Sequence, residues 1–209
     1  CSSLTRLNLN NNNFNTAKVT DMDYMFNECS SITSFDFGDN FNTHKVVSMK
    51  GMFSYCSYLT SLKISTFETN KVKNMMSLFS GCNTLRTIDL GNIDTSSVEN
   101  MNSMFRGCSF LSSIDLTHMN IEKVKDMGYM FSGCSSLEIL DLSKFVIEAS
   151  MNYMFSGCLL LKSIRFPNTI KAYNLTHTFS ECYSLKELDL SKFDTSSVTN
   201  MDYMFNRSE

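Results

Sequence analysis

The sequence predicts an α/β repeat solenoid with short parallel strands on one face and short helices on the other. Three observations predict it. The eight cysteines, Cys1, Cys29, Cys56, Cys82, Cys108, Cys134, Cys158 and Cys182, recur in steps of 28, 27, 26, 26, 26, 24 and 24 residues. Within each step the apolar residues first recur at three- and four-residue intervals and then switch to a period of two. Neither segment is long enough to bury its apolar side alone, so neighbouring repeats must stack and share one core. Residues 1–209 therefore read as a single array of about eight repeats of 24–28 residues.

The fullest copy runs from Cys82 to Cys108 as CNTLRTIDLGNIDTSSVENMNSMFRGC. In it Met101, Met104, Phe105, Cys108 and Leu111 take the spacing of one helix face. A short polar residue precedes the first methionine position in every repeat: Asp21, Ser48, Asn74, Asn100, Asp126, Ser150, Asn174 and Asn200. Such residues accept from the free N–H groups that open a helix, so this column is expected to be an N-cap. After the cysteine, Ile88-Asp89-Leu90, Ile114-Asp115-Leu116 and Leu188-Asp189-Leu190 alternate as short strands do. With strands about 4.8 Å apart, eight rungs predict a parallel sheet on the order of 35–40 Å long.

Composition narrows the function. The net charge is −3, and the halves are alike, with 8 basic and 9 acidic residues in 1–104 and 10 and 12 in 105–209. No half offers the concentrated basic field that a nucleic acid requires, so no nucleic-acid partner is expected. No apolar run approaches the ~18–20 residues of a transmembrane segment, and no signal-peptide pattern opens the chain.

The line L-x-x-L-x-L followed by F-D-T-S-S-V-T-N-M-x-x-M-F-x-G-C-S-S resembles the 26-residue repeat of bacterial surface lipoproteins, a branch of the BspA-like leucine-rich-repeat family. Leu137 to Phe145 (LEILDLSKF) and Leu185 to Phe205 (LKELDLSKFDTSSVTNMDYMF) carry it most closely. The seventh repeat departs, with Leu175 and Thr178 in the two methionine positions. Its Ile164-Arg165-Phe166-Pro167 is similar to the I-x-I-P strand of BspA-type repeats. The resemblance implies a leucine-rich-repeat-like fold, an extracellular or cell-surface location, adhesion or recognition of other macromolecules, and no enzyme activity. It implies no cofactor and carries over no functional residue.

The columns of the repeat supply the candidate residues. The cysteines lack metal-ligand spacing and would need local distortion to bridge between rungs, so they read as small core fillers. Cys1 falls in the same column as C-S-S-L, a reading preferred over a lipid-bearing first residue. The phenylalanines Phe26, Phe53, Phe79, Phe105, Phe131, Phe155, Phe179 and Phe205 read as core. The outward column of the strands, Asn8, Asp36, Lys63, Asp89, Asp115, Asp141, Arg165 and Asp189, is the candidate partner-binding surface. Asp89, Asp115 and Asp141 would stand on consecutive rungs, where like charges repel. Hydration and nearby lysine and serine residues, a basic partner, or a hard cation would each offset that repulsion. Thr16, Thr43, Thr69, Thr95 and Thr195 form a column with a turn or β role. Tyr24, Tyr129, Tyr153 and Tyr203 share a half-exposed column, and His44, His118 and His177 read as solvated.

The leading functional reading is a non-enzymatic surface recognition or adhesion module that binds a protein or other surface macromolecule through its strand face. The alternatives are a structural spacer or filament component stacking end to end, and an intracellular scaffold, which the unpaired cysteines suit. The array shows no polar cap, so it is expected to be an excerpt of a longer array or a self-stacking unit.

Overall fold

A computed structural model describes residues 1–10, 13–38, 40–91 and 93–208. Among them the chain is a β-solenoid that contains no helix. Short parallel strands alternate with tight turns, and one apolar column of each kind lies beneath. On the strand face β1 (Arg6–Asn8) pairs with β2 (Ser34–Asp36), β3 (Ser61–Lys63) with β4 (Thr87–Asp89), and β5 (Ile139–Asp141) with β7 (Ser163–Arg165). A second ladder joins β6 (Ile147–Ala149), β8 (Ile170–Ala172) and β9 (Phe193–Asp194). The predicted parallel pairing is present, but the strand face is laddered in doublets rather than as one continuous sheet. Residues 113–115 and 187–189 lie in the strand column without joining a strand, and the β6–β8–β9 ladder has no counterpart in the sequence reading.

The helices expected at the Met-x-x-Met-Phe segments are replaced by runs of turns. In the fourth repeat Met101, Ser103, Phe105 and Gly107 donate their N–H groups to carbonyls of the next rung, those of Asp126, Gly128, Met130 and Ser132, at 2.7–3.0 Å. The intervening Met104, Arg106 and Cys108 donate three residues back, to Met101, Ser103 and Phe105, at 3.1–3.2 Å. Asn102 donates to the side chain of Asn100 at 2.8 Å. Every N–H is thereby paired, and half of them tie one rung to the next, which a helix with its internal i to i−4 bonds cannot do.

The geometry that permits this is a left-handed residue at two positions per repeat, Ser103 (φ 58°) and Gly107 (φ 73°) in this copy. A left-handed residue ends a helix, so the three- and four-residue apolar spacing survives in a different backbone. The expected N-caps keep half of their role. Asp21, Asn74, Asn100, Asp126, Asn174 and Asn200 accept the N–H two residues on, at 2.7–3.0 Å, and so open turns. Their backbones also bridge rung to rung, in the series Asp21, Ser48, Asn74, Asn100, Asp126 and Ser150.

Inside, the predicted core columns are buried, except that at the last rung Phe205, expected in the core, is 49% exposed. The phenylalanines from Phe26 to Phe205 stack face to face with centroids 5.5–6.2 Å apart. Beyond burial, each aromatic pair adds about 0.5–1.5 kcal/mol. All eight cysteines are free thiols, seven of them buried and Cys1 exposed. From Cys56 to Cys182 each Sγ donates to the carbonyl of the phenylalanine one layer back, at 3.1–3.3 Å. Ser208 fills the next position with its hydroxyl 2.6 Å from the carbonyl of Phe179.

The threonine column has a more specific role than a turn preference. Thr43 donates its hydroxyl to the carbonyl of Glu68 (3.0 Å) and accepts the N–H of Glu68 (2.7 Å). Thr16 and Thr95 clamp Asn42 and Asn120 in the same way. Where the repeats shorten to 24 residues and Ile147 and Ile170 stand near this corner, the backbones pair directly as β6 and β8.

Two outcomes follow. The column of Gly81, Gly107, Gly133 and Gly157 holds Glu28 in one repeat, exposed and at φ 56°. Relieving that strain with Glu28→Gly is expected to raise stability by roughly 0.5 kcal/mol, the left-handed cost less glycine's entropy, and to raise the melting temperature by about 1–2 °C. Glu187→Gly, at a position without positive φ, should lower it. Burial pushes the thiols of Cys56, Cys134 and Cys182 up to about 12. In native protein at neutral pH, a thiol reagent should therefore label Cys1 rapidly and the other seven only after unfolding. Rapid native labelling of Cys108 would refute this packing.

Candidate functional site

The strand-face column is built as the sequence predicts. Asn8 and Asp36 are paired in register at the ends of β1 and β2, Lys63 and Asp89 at the ends of β3 and β4, and Asp141 and Arg165 at the ends of β5 and β7. Asp115 and Asp189 hold the same column outside any strand. All eight side chains are exposed. Beneath them, the residue between each outward pair, such as Leu62 or Leu140, faces the core.

The repulsion expected between successive aspartates is met locally. Oδ1 of Asp89 accepts the N–H of Gly91 (3.0 Å), Asp115 accepts both the N–H (2.9 Å) and the hydroxyl (2.7 Å) of Thr117, and Asp141 accepts the N–H of Ser143 (2.9 Å). Asp189 accepts from Ser191 at 2.9 Å, and Asn8 from Asn10 at 2.8 Å. Each of these five side chains closes the turn that follows it in the strand column. Asp141 also meets Arg165 across the rung, 3.3 Å from Oδ2 to the guanidinium, and Glu138 meets Lys162 at 2.6 Å. The acidic stripe thus ends against a basic rung. Asp89, whose register partner is Lys63, shares a hollow with Asp115, Ile88, Leu90, Gly91 and His118 at a break in the strand ladder.

The hydroxyl of Thr117, then its amide, holds the Asp115 carboxyl below the ordinary carboxylate range. Ser143 does the same for Asp141, with Arg165 adding to it, and Ser191 does so for Asp189. Among the described residues no group of three or more His, Cys, Asp or Glu side chains is placed to hold a metal ion.

The histidines differ from the expectation of three solvated side chains. His177 is half-buried in a stack on the turn face, 4.4 Å from the ring of Tyr153 and 4.8 Å from that of Tyr203. Tyr129 continues the stack at 4.6 Å, with the Arg106 guanidinium 5.0 Å over its ring. Tyr129, Tyr153, His177 and Tyr203 all occupy the first left-handed position, so mutual stacking accompanies an unfavourable backbone. Tyr24 belongs to the same column, and its ring lies over Gly51, where an added Cβ would come within 2.5 Å of it. His44 is held by the side chain of Asn42.

The chain belongs to the family described as "Mycoplasma protein of unknown function, DUF285", whose model matches residues 2–81, 58–163 and 149–209. No curated protein sequence matches it. Among solved structures, a leucine rich cell surface protein from Faecalibacterium prausnitzii A2-165 is 17% identical with a TM-score of 0.40, covering 100% of this chain and 66% of its own. A leucine-rich repeat protein from Bacteroides ovatus ATCC 8483 is 19% identical with a TM-score of 0.45, covering 89% and 52%. One from Eubacterium ventriosum ATCC 27560 is 17% identical with a TM-score of 0.45, covering 91% and 58%. The chain therefore spans about half to two thirds of the length of these proteins, and no functional inference rests on them. Among the described residues no helix is long and apolar enough to cross a membrane.

The lowered carboxyls set the acid response. Their folded values lie below the unfolded value of about 3.9, so their stabilisation is complete above that pH and is lost as pH falls through the folded values. The melting temperature should fall between about pH 5 and pH 2, and less steeply for Asp115→Asn/Asp141→Asn/Asp189→Asn. Equal slopes for the two proteins would remove these turns as the cause.

Proposed function

We propose that the chain is a non-enzymatic, surface-displayed recognition module that binds a basic protein surface through its strand face. The observation that carries this is the outward column itself. Eight side chains from Asn8 to Asp189 stand exposed along the strand-face column, while the core columns behind them are filled. Asp89 and Asp115, next to the hollow at the ladder break, are the centre of the contact. Complementary charge steers such encounters and makes them salt-dependent. The likeness of the repeat to bacterial surface lipoproteins supports display outside the cell.

The test is binding of the chain to a panel of purified extracellular glycoproteins with isoelectric points from acidic to basic, at low and high salt. Asp89→Asn/Asp115→Asn/Asp141→Asn is the informative variant, because asparagine keeps the oxygen that accepts the turn N–H and removes only the charge. Basic members are expected to bind, with a loss of roughly tenfold or more in the variant and a weaker signal in high salt. Absence of binding across the panel, or equal binding by the variant, would sink the proposal and leave the structural-spacer reading in its place.

A further inference from the structure

A second surface lies along the edge where the turn runs pass into the strand face. The residue two positions after each cysteine is small and polar in most rungs: Ser3, Ser31, Thr84, Ser136 and Ser184. In the third, fifth and seventh rungs it is Tyr58, Phe110 and Leu160, which are 64%, 48% and 47% exposed. The position is fixed in register. Tyr58, Phe110, Ser136 and Leu160 donate their N–H groups to carbonyls of the preceding rung, those of Ser30, Asn83, Ser109 and Ser135, at 3.1–3.3 Å. The three large side chains therefore project from one line, two rungs apart, with a small residue between each pair. Leu159 and Tyr183, one position earlier in the repeat, widen the line at its far end and are also exposed.

Cations outnumber acids in the neighbouring column of this edge. Two positions further on stand Arg86, Lys162 and Lys186, and the one acid of that column, Glu138, is engaged by Lys162. The Arg86 guanidinium lies 5.0 Å over the Phe110 ring, and Lys162 and Lys186 line a shallow hollow with Tyr183 and Ser184. In a chain of net charge −3, this edge joins protruding apolar groups to an excess of cations, most marked from Arg86 to Lys186, with Glu28 near its Tyr58 end. Rigid apolar projections with flanking Lys and Arg fit a planar apolar layer beneath a negative surface, where the rings and leucines enter the interface and the cations meet headgroups.

We propose that this edge rests on an anionic lipid surface, with Tyr58, Phe110 and Leu160 inserted and Arg86, Lys162 and Lys186 at headgroup level. The strand face is then left free, and the proposal stands independently of what that face binds.

The experiment is co-sedimentation of the whole chain with vesicles of phosphatidylcholine alone and of phosphatidylcholine with phosphatidylglycerol. The chain is expected to sediment with the anionic vesicles. Tyr58→Ser/Phe110→Ser/Leu160→Ser installs the residue already present at Ser31, Ser136 and Ser184, and should reduce partitioning roughly tenfold or more. Arg86→Gln/Lys186→Gln should remove the preference for anionic over neutral vesicles. The strand-face Asp→Asn triple should sediment like the wild type. A chain that stays in the supernatant with both vesicles, or a serine variant that sediments undiminished, overturns the proposal. So does a solution dimer that the serine variant abolishes without any vesicle binding, which would assign the edge to a second copy.

Discussion

The structure depends on the way the turn runs share their backbone hydrogen bonds. A segment in which alternate N–H groups point to the next rung is neither helix nor strand, yet it leaves no donor unpaired across Met101 to Cys108. Helices would have satisfied the same groups internally and left the rungs joined there by side chains alone. Here each rung is bonded to the next along the turn run, along the strand column where the doublets form, and at the corner, by threonine clamp or by β6–β8–β9. The cost is two left-handed residues in every repeat, about 1–2 kcal/mol each where the residue is not glycine. Glycine meets the second of them in four repeats, and at several of the others ring stacking accompanies the strain.

Rung-to-rung bonding also explains why the core is so regular. Backbones held in register place identical side chains above one another, so a residue type that stacks well on itself is favoured in each column. Phenylalanine does this with parallel rings, and cysteine does it because a thiol is small and can donate to the phenylalanine carbonyl a layer back, whose other bond is the turn N–H. Ser208 making the same bond with a hydroxyl indicates that the column selects for a small donor rather than for sulfur chemistry. Burial pushes the thiols of Cys56, Cys134 and Cys182 away from ionisation, in keeping with a packing role.

Much of this was legible in the sequence. The period, the parallel pairing, the buried columns and the outward strand column all follow from which positions are apolar, and burial reports the same periodicity whatever backbone produces it. That indifference is also why the helix expectation fails: spacing of 0, 3, 4 and 7 residues describes a helix face and a run of tight turns equally. The evidence against a helix was the glycine of F-x-G-C, present in four successive copies from Gly81 to Gly157 and now seen at φ 73–75°. The threonine clamps and the β6–β8–β9 ladder were hidden for another reason. They depend on which backbone groups come opposite each other at a corner, and a two-residue change in repeat length decides that without altering any motif. His177 in its aromatic stack was legible only as a member of the tyrosine column, a position it reaches through the same left-handed turn as Tyr153 and Tyr203.

The placement of the candidate site follows from what the other columns must do. The turn face is occupied by its own backbone bonds and by stacked rings whose faces are turned to one another. The corner is filled by hydroxyl clamps or direct pairing, and the interior is closed. The strand column and the edge beside the cysteines remain exposed, and in the strand column the aspartates need only one oxygen to close the following turn. Asparagine at position 8 and aspartate at 89, 115, 141 and 189 meet that structural demand equally, so the demand for an acceptor does not explain why the charged form recurs on three consecutive rungs. A neutral side chain would close the same turns without like charges on neighbouring rungs, while Lys63 stands in register beside Asp89 and Arg165 pairs with Asp141. The turns alone therefore do not select the charge at Asp89 and Asp115, and that charge is what the proposed contact with a basic partner would draw on.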